Sequence, residues 1–306
     1  MNLKEKKDFS NENDDFLHQP DNTSKWRESY YFDWADISNK ISGFSTIGIV
    51  PNENKREFVF FLFFNDKREA YYREPVLKNF TDNINIMLQE KRLSYNLIKP
   101  MKEWEIKYKC PKFSFAIRFK ARFPTCYFGK DASASWHQHF ETSGIISGEI
   151  KFKSNHVRKI QGYGQRDKSW GYRDWHQFDH WHHANFQFKD WSCAFRKDYQ
   201  KDRIDLSGSI VTKEGCVRLS EVKVEVLTNQ DKYNSPIITK YQIIDVLGNI
   251  FNIEARPIDN NTSFRFSRNF DGGYTEMFDQ MVIIENKDTG EKGSGIAELL
   301  RSVKSL

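Results

Sequence analysis

"EWEIKYKCPKFSFAIRFK", residues 103–120, decides the fold class. In its first half Trp104, Ile106 and Tyr108 alternate with Glu103, Glu105, Lys107 and Lys109. In its second half Phe113, Phe115, Ile117 and Phe119 occupy every other position. A repeat of two places successive side chains on opposite faces, which is the signature of a half-buried antiparallel strand. The same alternation returns in "EVKVEV" at 221–226 and "SFRF" at 263–266. Polar turns separate such runs: "PNEN" at 51–54, "LGN" at 247–249, "DGG" at 271–273 and "DTGEKGSG" at 288–295. There is no long amphipathic helical period. Strands every 8–12 residues between polar turns predict an all-β barrel or sandwich. An eight-stranded barrel encloses one core or one small ligand. The strand count for 306 residues therefore predicts two barrels in tandem. The expected division is a flexible tail over 1–22, an N-terminal barrel over 23–156 and a C-terminal barrel over 157–306. The junction is set at the polar turn "KSNHVRK", 153–159.

Composition agrees with a globular chain: 29% charged, 38% apolar and 15% aromatic, including 26 Phe. The net charge of +5, from 47 basic and 42 acidic residues, is mild, and the two signs are interspersed. That pattern argues against nucleic acid as a partner. The longest apolar run, "FVFFLFF" at 58–64, is of strand length and too short to span a bilayer. The first residues, "MNLKEKKDFSNENDD", carry no apolar segment of the signal-peptide type. Cys110, Cys126, Cys193 and Cys216 are widely spaced, without a C-x-x-C. They read as four free thiols in a reducing compartment, so a cytoplasmic protein is expected.

Chemistry-bearing residues concentrate in "GYGQRDKSWGYRDWHQFDHWHHANF", 162–186. It is no dinucleotide loop, because the third glycine position is Asp167. Nor is it a nucleophile elbow, since Ser169 lacks the flanking glycines. His176, His180, His182 and His183 invite a metal reading. However, a spacing of four needs a helix, whereas His180 and His182 align only on a strand. No metal and no cofactor are therefore expected. Asp167, Asp174, His139 and Glu141 form the candidate acid–base set. A carboxyl buried beside tryptophan can hold a proton and give it up. Trp170, Trp175, Arg173, Tyr163 and Lys168 are the candidate ligand-binding residues. Phe113, Phe115, Ile117 and Phe119 fit either a cavity lining or a plain core.

"GYGQRDKSWGYRDW" resembles the G-x-G-x-R-D-H-S-W-G-x-R-x-W signature of proteins similar to hydroxyneurosporene synthase (carotenoid 1,2-hydratase) and of AttH-type lipocalin-like proteins. "WRESYYFDWADISNKISGFSTIGIVPNEN" (26–54), "HFETSGIISGEI" (139–150) and "GEKGSGIAE" (290–298) resemble further segments of an uncharacterised branch, in the same order. The resemblance implies two lipocalin-like antiparallel β-barrels. It also implies a hydrophobic small-molecule ligand of isoprenoid, polyene or lipid type, and acid-assisted hydration or cyclisation by Asp167, Glu141 or His139. The alternative is a non-catalytic interaction protein whose motif docks the two domains. Lys168 stands where the signature has histidine, which turns the Asp-His pair of the signature into an Asp-Lys pair.

Overall fold

The computed structural model describes residues 11–128, 136–201 and 203–304. The first sheet contains β1 (Trp26–Asp36), β2 (Ile41–Val50), β3 (Lys55–Phe64), β4 (Lys67–Arg73), β5 (Leu93–Lys99), β6 (Glu103–Lys109), β7 (Phe113–Ala121), β8 (Cys126–Tyr127), β9 (Gln138–Phe152) and β10 (Val157–Tyr172). The second contains β11 (His180–Gln187), β12 (Ser192–Gln200), β13 (Arg203–Thr212), β14 (Gly215–Thr228), β15 (Pro236–Asp245), β16 (Ile250–Pro257), β17 (Ser263–Phe270), β18 (Gly273–Asn286) and β19 (Lys292–Lys304). The first runs β4-β3-β2-β1-β10-β9-β7-β6-β5, with β8 beside β9. In the second, β16 pairs with both β15 and β18, which closes eight strands into a barrel and leaves β17 on its edge.

The first sheet curls without closing. The segment between β4 and β5 spans the opening, with Leu77, Ile84, Met87 and Leu88 in the core. The alternating residues of β6 and β7 bury their apolar face as the period predicts. Trp104, Ile106, Tyr108, Phe115, Ile117 and Phe119 pack with Trp34, Phe60 and Tyr95. These rings fill the interior, so Phe113, Phe115, Ile117 and Phe119 are core and not cavity lining. The closed barrel is likewise filled, by Phe186, Phe195, Val222, Tyr241 and Ile243 among others. Removing one such buried ring costs about 3–5 kcal/mol.

Two boundaries differ from the sequence reading. Residues 153–156 only turn β9 into β10, whose partners β9 and β1 are both in the first sheet. The chain passes to the second sheet over 173–179. A polar turn marks a hairpin as readily as a domain junction, and sequence alone does not separate the two. Of the expected tail, residues 1–10 lie outside the described residues, but 11–18 are docked. Glu12–Asp15 form a 3-10 turn, and Asp15 is fully buried.

Cys126 of the first sheet and Cys216 of the second form a disulfide, which corrects the expectation of four free thiols. Cys110 and Cys193 are free and buried. The bridge joins positions 90 residues apart, a separation only the fold reveals. Among the described residues no helix is long and apolar enough to cross a membrane. Closing so long a loop is worth about 2–4 kcal/mol. The Cys126→Ser/Cys216→Ser double variant should lose that much in urea denaturation. Alkylation of the unfolded, unreduced wild type should count two thiols, and a count of four would remove the bridge.

Candidate functional site

The period-two pleat sends the central motif in two directions. On β10, Gln165, Asp167 and Ser169 face the second sheet, while Arg166, Lys168 and Trp170 face the interior of the first. The interior group secures the N-terminal segment. Arg166 pairs with Asp15, and Lys168 pairs with Glu28; all four side chains are fully buried. Lys168 also donates to the Phe16 carbonyl at 3.0 Å. His18 stacks on Trp170 with ring centroids 3.7 Å apart.

The other face builds a cavity of about 420 Å³ between the two sheets. Strand register explains who meets there. In the first sheet Glu141, Asp167, Tyr31, Thr46 and Val59 lie on one rung across β9, β10, β1, β2 and β3. In the second, Arg196, His183, Glu298 and Asp279 lie on one rung across β12, β11, β19 and β18. The two rungs face each other, and His139 enters from the position before Glu141 on the same face. Phe44, Phe61, Phe264, Phe266, Met277, Trp175 and Trp181 supply the apolar walls.

His139 Nε2 stands 3.4 Å from both Glu141 Oε1 and Asp167 Oδ1. His183 Nε2 lies 3.3 Å from Glu141 Oε1. Glu141 is held from behind: Gln165 Nε2 donates to its Oε2 at 2.8 Å, and Gln187 Nε2 donates to Gln165 Oε1 at 2.7 Å. Trp181 Nε1 donates to Glu298 Oε1 at 2.5 Å. Among the described residues, Tyr31 Oη, His139 Nδ1 and Asp279 Oδ1 are buried without a hydrogen-bond partner, and His139 Nε2 and Asp167 Oδ1 have only their long ion-pair contacts. Buried polar atoms are nearly always satisfied, so this many around one space marks a place for a polar guest.

The charges sort the carboxyls. Burial would raise Asp167, but the charge and contact of His139, with His183 and Arg173 behind, hold it below the usual carboxylate range. Asp279 goes the other way. Burial raises it, and Glu298 opposite on the next strand raises it further, well above the ordinary value. Asp33, under the same interface, is raised to about 7, by burial first. Burial would lower His183, yet the Glu141 hydrogen bond and the charges of Glu298, Glu141 and Asp167 lift it to about 9.

That last value makes a prediction. Unfolded, His183 titrates near 6.5; folded, it keeps its proton to about 9. Its contribution is whole below 6.5 and is lost as pH rises through 9, at most about 3 kcal/mol. Urea denaturation of wild type should show this loss between about pH 6 and about pH 9.5, and His183→Gln should flatten it. Parallel curves would mean that His183 is neutral in the fold.

Of the residues read from sequence, His139, Glu141 and Asp167 converge on the cavity, and Arg173 and Trp175 line it. Asp174 does not; it takes Lys25 Nζ at 2.5 Å outside the inner cavity. Tyr163 covers the Arg122 guanidinium at 4.2 Å. Lys168 and Trp170 lie on the far side of the sheet. The histidine group divides: His183 reaches the cavity, His180 stacks on Tyr199 at 3.8 Å, and His176 meets Thr275 at 3.0 Å. The donor atoms of His139, Glu141 and Asp167 lie within 4.8 Å of one another, close enough to share a cation. A metal-bound imidazole ordinarily anchors its second nitrogen, whereas His139 Nδ1 has no partner, so the set suits an ion pair better. Asp279, Glu298, Arg196 and Trp181 escaped the sequence reading. Glu298 left a trace as the acid of "GIAE"; Asp279 left none, being one acid in a strand buried on both faces.

Two antiparallel β units, a barrel and a curled half-barrel, enclosing an aromatic-walled acid–base cavity define a tandem lipocalin-like protein. The chain belongs to the family described as "Domain of unknown function (DUF7064)", which matches residues 11–303. No curated protein sequence matches it. Its fold is similar to that of CghA crystallised with Sch210972, at TM-score 0.66 and 10% identity over 92% of this chain and 89% of that one. It is also similar to a candidate AttH from Nitrosomonas europaea, at TM-score 0.65 and 12% identity over 93% and 95%. Kievitone hydratase from Nectria haematococca matches at TM-score 0.64 and 8% identity over 97% of both chains.

Proposed function

We propose that this chain binds an apolar or amphipathic small molecule of isoprenoid, polyene or lipid type between its two sheets and catalyses acid-assisted hydration or cyclisation of it. The observation that carries this reading is the opposed pair of rungs. A carboxyl raised well above its ordinary value, Asp279, faces one held below it, Asp167, across an aromatic-walled space. Two titratable groups driven apart in this way are the usual acid and base assignment. Asp279 gives its proton to one alkene carbon: its O–H bond breaks, and the π pair forms the new C–H bond. The cation left on the other carbon lies among Trp175, Trp181 and Phe266, whose faces stabilise positive charge. Water, or a second double bond of the same molecule, supplies the next pair. Asp167, oriented with Glu141 by His139, accepts the proton then released.

The name of kievitone hydratase supports hydration as the class of chemistry. The resemblance of the motif to the hydroxyneurosporene synthase signature supports an isoprenoid substrate. A second reading, the docking scaffold, has its own observation. Gln165 of the motif bonds Gln187 across the interface, and Asn185 Nδ2 donates to Asp33 Oδ2 there at 2.6 Å. It leaves the buried cluster of acids and histidines in the cavity without a use.

Native mass spectrometry of the gently purified protein, followed by incubation with prenylated phenols and linear polyenes in heavy-oxygen water, tests the proposal. A co-purifying apolar mass supports binding. Labelled oxygen in the product marks hydration, and a product of unchanged mass marks cyclisation. A bare chain that turns over nothing in the panel sinks the catalytic half and favours the scaffold.

A further inference from the structure

Register also orders the cavity along its length. On the first sheet, Ser29, Gly48 and Glu57 share a rung, with Ser169 beside Ser29. Two residues further lies the rung of Asp167, Tyr31, Thr46 and Val59. Two residues beyond that, Asp33, Phe44 and Phe61 share a third. Strand β17 covers them in the same order. Arg268 Nη2 lies 3.7 Å from Glu57. Phe266 comes next to Trp175, ring centroids 6.3 Å apart, and Phe264 lies on Phe61 at 4.3 Å. Asp33 of the third rung is taken by Asn185 and does not line the cavity, so the space is charged at one end, reactive in the middle and apolar at the other, with about 7 Å between successive rungs.

The charged end is a built arrangement. Arg27 stretches over Gly48, where any Cβ would fall on the guanidinium. Its Nε donates to Ser29 Oγ at 2.8 Å, and its Nη1 to Glu57 at 2.5 Å. Asp174 takes Lys25 at 2.5 Å, and Glu53 takes Lys55 at 2.8 Å. Arg27 and Arg268 have Glu57 as their one carboxylate among the described residues, and Lys55 Nζ reaches the same Glu57 at 3.7 Å. Arg173, bonded to Ser169 Oγ at 2.6 Å, adds to the same positive end.

Resting on the reading of the cavity as the ligand site, we infer that its ligand is an amphiphile with a carboxylate head. The head is seated between Arg27 and Arg268, with the apolar body lying past Asp167 towards Phe44, Phe61 and Phe264. Guanidinium groups match a planar carboxylate with paired hydrogen bonds. An anion there completes the count of charges that Glu57 leaves short. The same seat fixes which part of the chain reaches Asp279, so it sets regiospecificity as well as affinity.

Calorimetric titration of the full chain with lauric acid, lauryl alcohol and laurylamine, each below its micellar concentration, tests this. Three probes of one chain length separate the head from the tail. The acid should bind at least tenfold more tightly than the alcohol, on the scale of a lost charge-assisted contact. Arg268→Gln, at a half-exposed position that the fold tolerates, should bring the acid down to the alcohol's affinity without changing the alcohol. Equal binding of acid and alcohol, or a preference for the amine, would overturn the carboxylate seat and leave the cavity reading standing. Failure of all three probes to bind would overturn both.

Discussion

Lys168→Met should destabilise the protein by about 3–5 kcal/mol, the usual result of stripping one partner from a buried ion pair. Lys168 and Glu28 are both fully buried, and the lysine's pKa is pulled down to about 8, by burial first. Its ammonium lies over the faces of Tyr30 and Trp170 at 4.7 and 4.6 Å and bonds the Phe16 carbonyl. Without it, Glu28 keeps only His18 among the described residues; its Nδ1 is 2.9 Å from Oε1 and its backbone N–H donates at 2.9 Å. The N-terminal segment should loosen as a unit, since Asp15 and Phe16 are pinned by this patch and by Arg166. Urea denaturation measures the loss, and hydrogen exchange at residues 11–18 localises it. The Lys168→Met/Glu28→Gln pair should recover much of the stability, because the stranded charge goes with its partner. A single-variant loss below about 1 kcal/mol would show that His18 becomes the counter-cation. Lys168→His, which the sequence signature invites, should also lose stability: imidazole is too short to meet both Glu28 and the Phe16 carbonyl.

This patch shows what one sequence can and cannot disclose. Alternation in "EWEIKYK" and "FSFAIRFK" identified strands and their buried faces, because a pleat with one apolar face repeats every two residues. The same rule divides "GQRDKSWG" into a cavity set and a plug set, yet nothing in the string says which set faces what. That depends on β10 running between β1 and β9 with a second barrel laid over one side. The position of Asp279 is a further step removed. Its chemistry comes from a cross-strand neighbour, Glu298, and from burial on both faces of β18. Both are properties of register and of packing. The disulfide was hidden for the same reason, since its halves belong to different sheets.

Replacing Asp279 with Asn should remove the proposed hydration or cyclisation and, at neutral pH, make the protein more stable. Two carboxyls directly opposite on neighbouring strands repel when both are ionised. Burial and the Glu298 charge answer this by raising the Asp279 carboxyl well above its ordinary value. A carboxyl whose folded pKa is raised contributes fully only below its unfolded value, and the fold loses stability as pH climbs towards the raised one. At pH 7 the wild type carries that penalty, and asparagine, nearly the same shape, does not. The expected gain is on the order of 1–2 kcal/mol, absent at about pH 3 and growing with pH. Turnover of any alkene substrate should fall by about 100- to 10,000-fold, the range for a lost general acid. Stability gained where activity is lost is the mark of a residue kept for chemistry. If Asp279→Asn instead destabilises at pH 7, the carboxyl is a structural hydrogen-bonding group. The proton donor must then be sought in Asp33, the other carboxyl raised by burial at this interface.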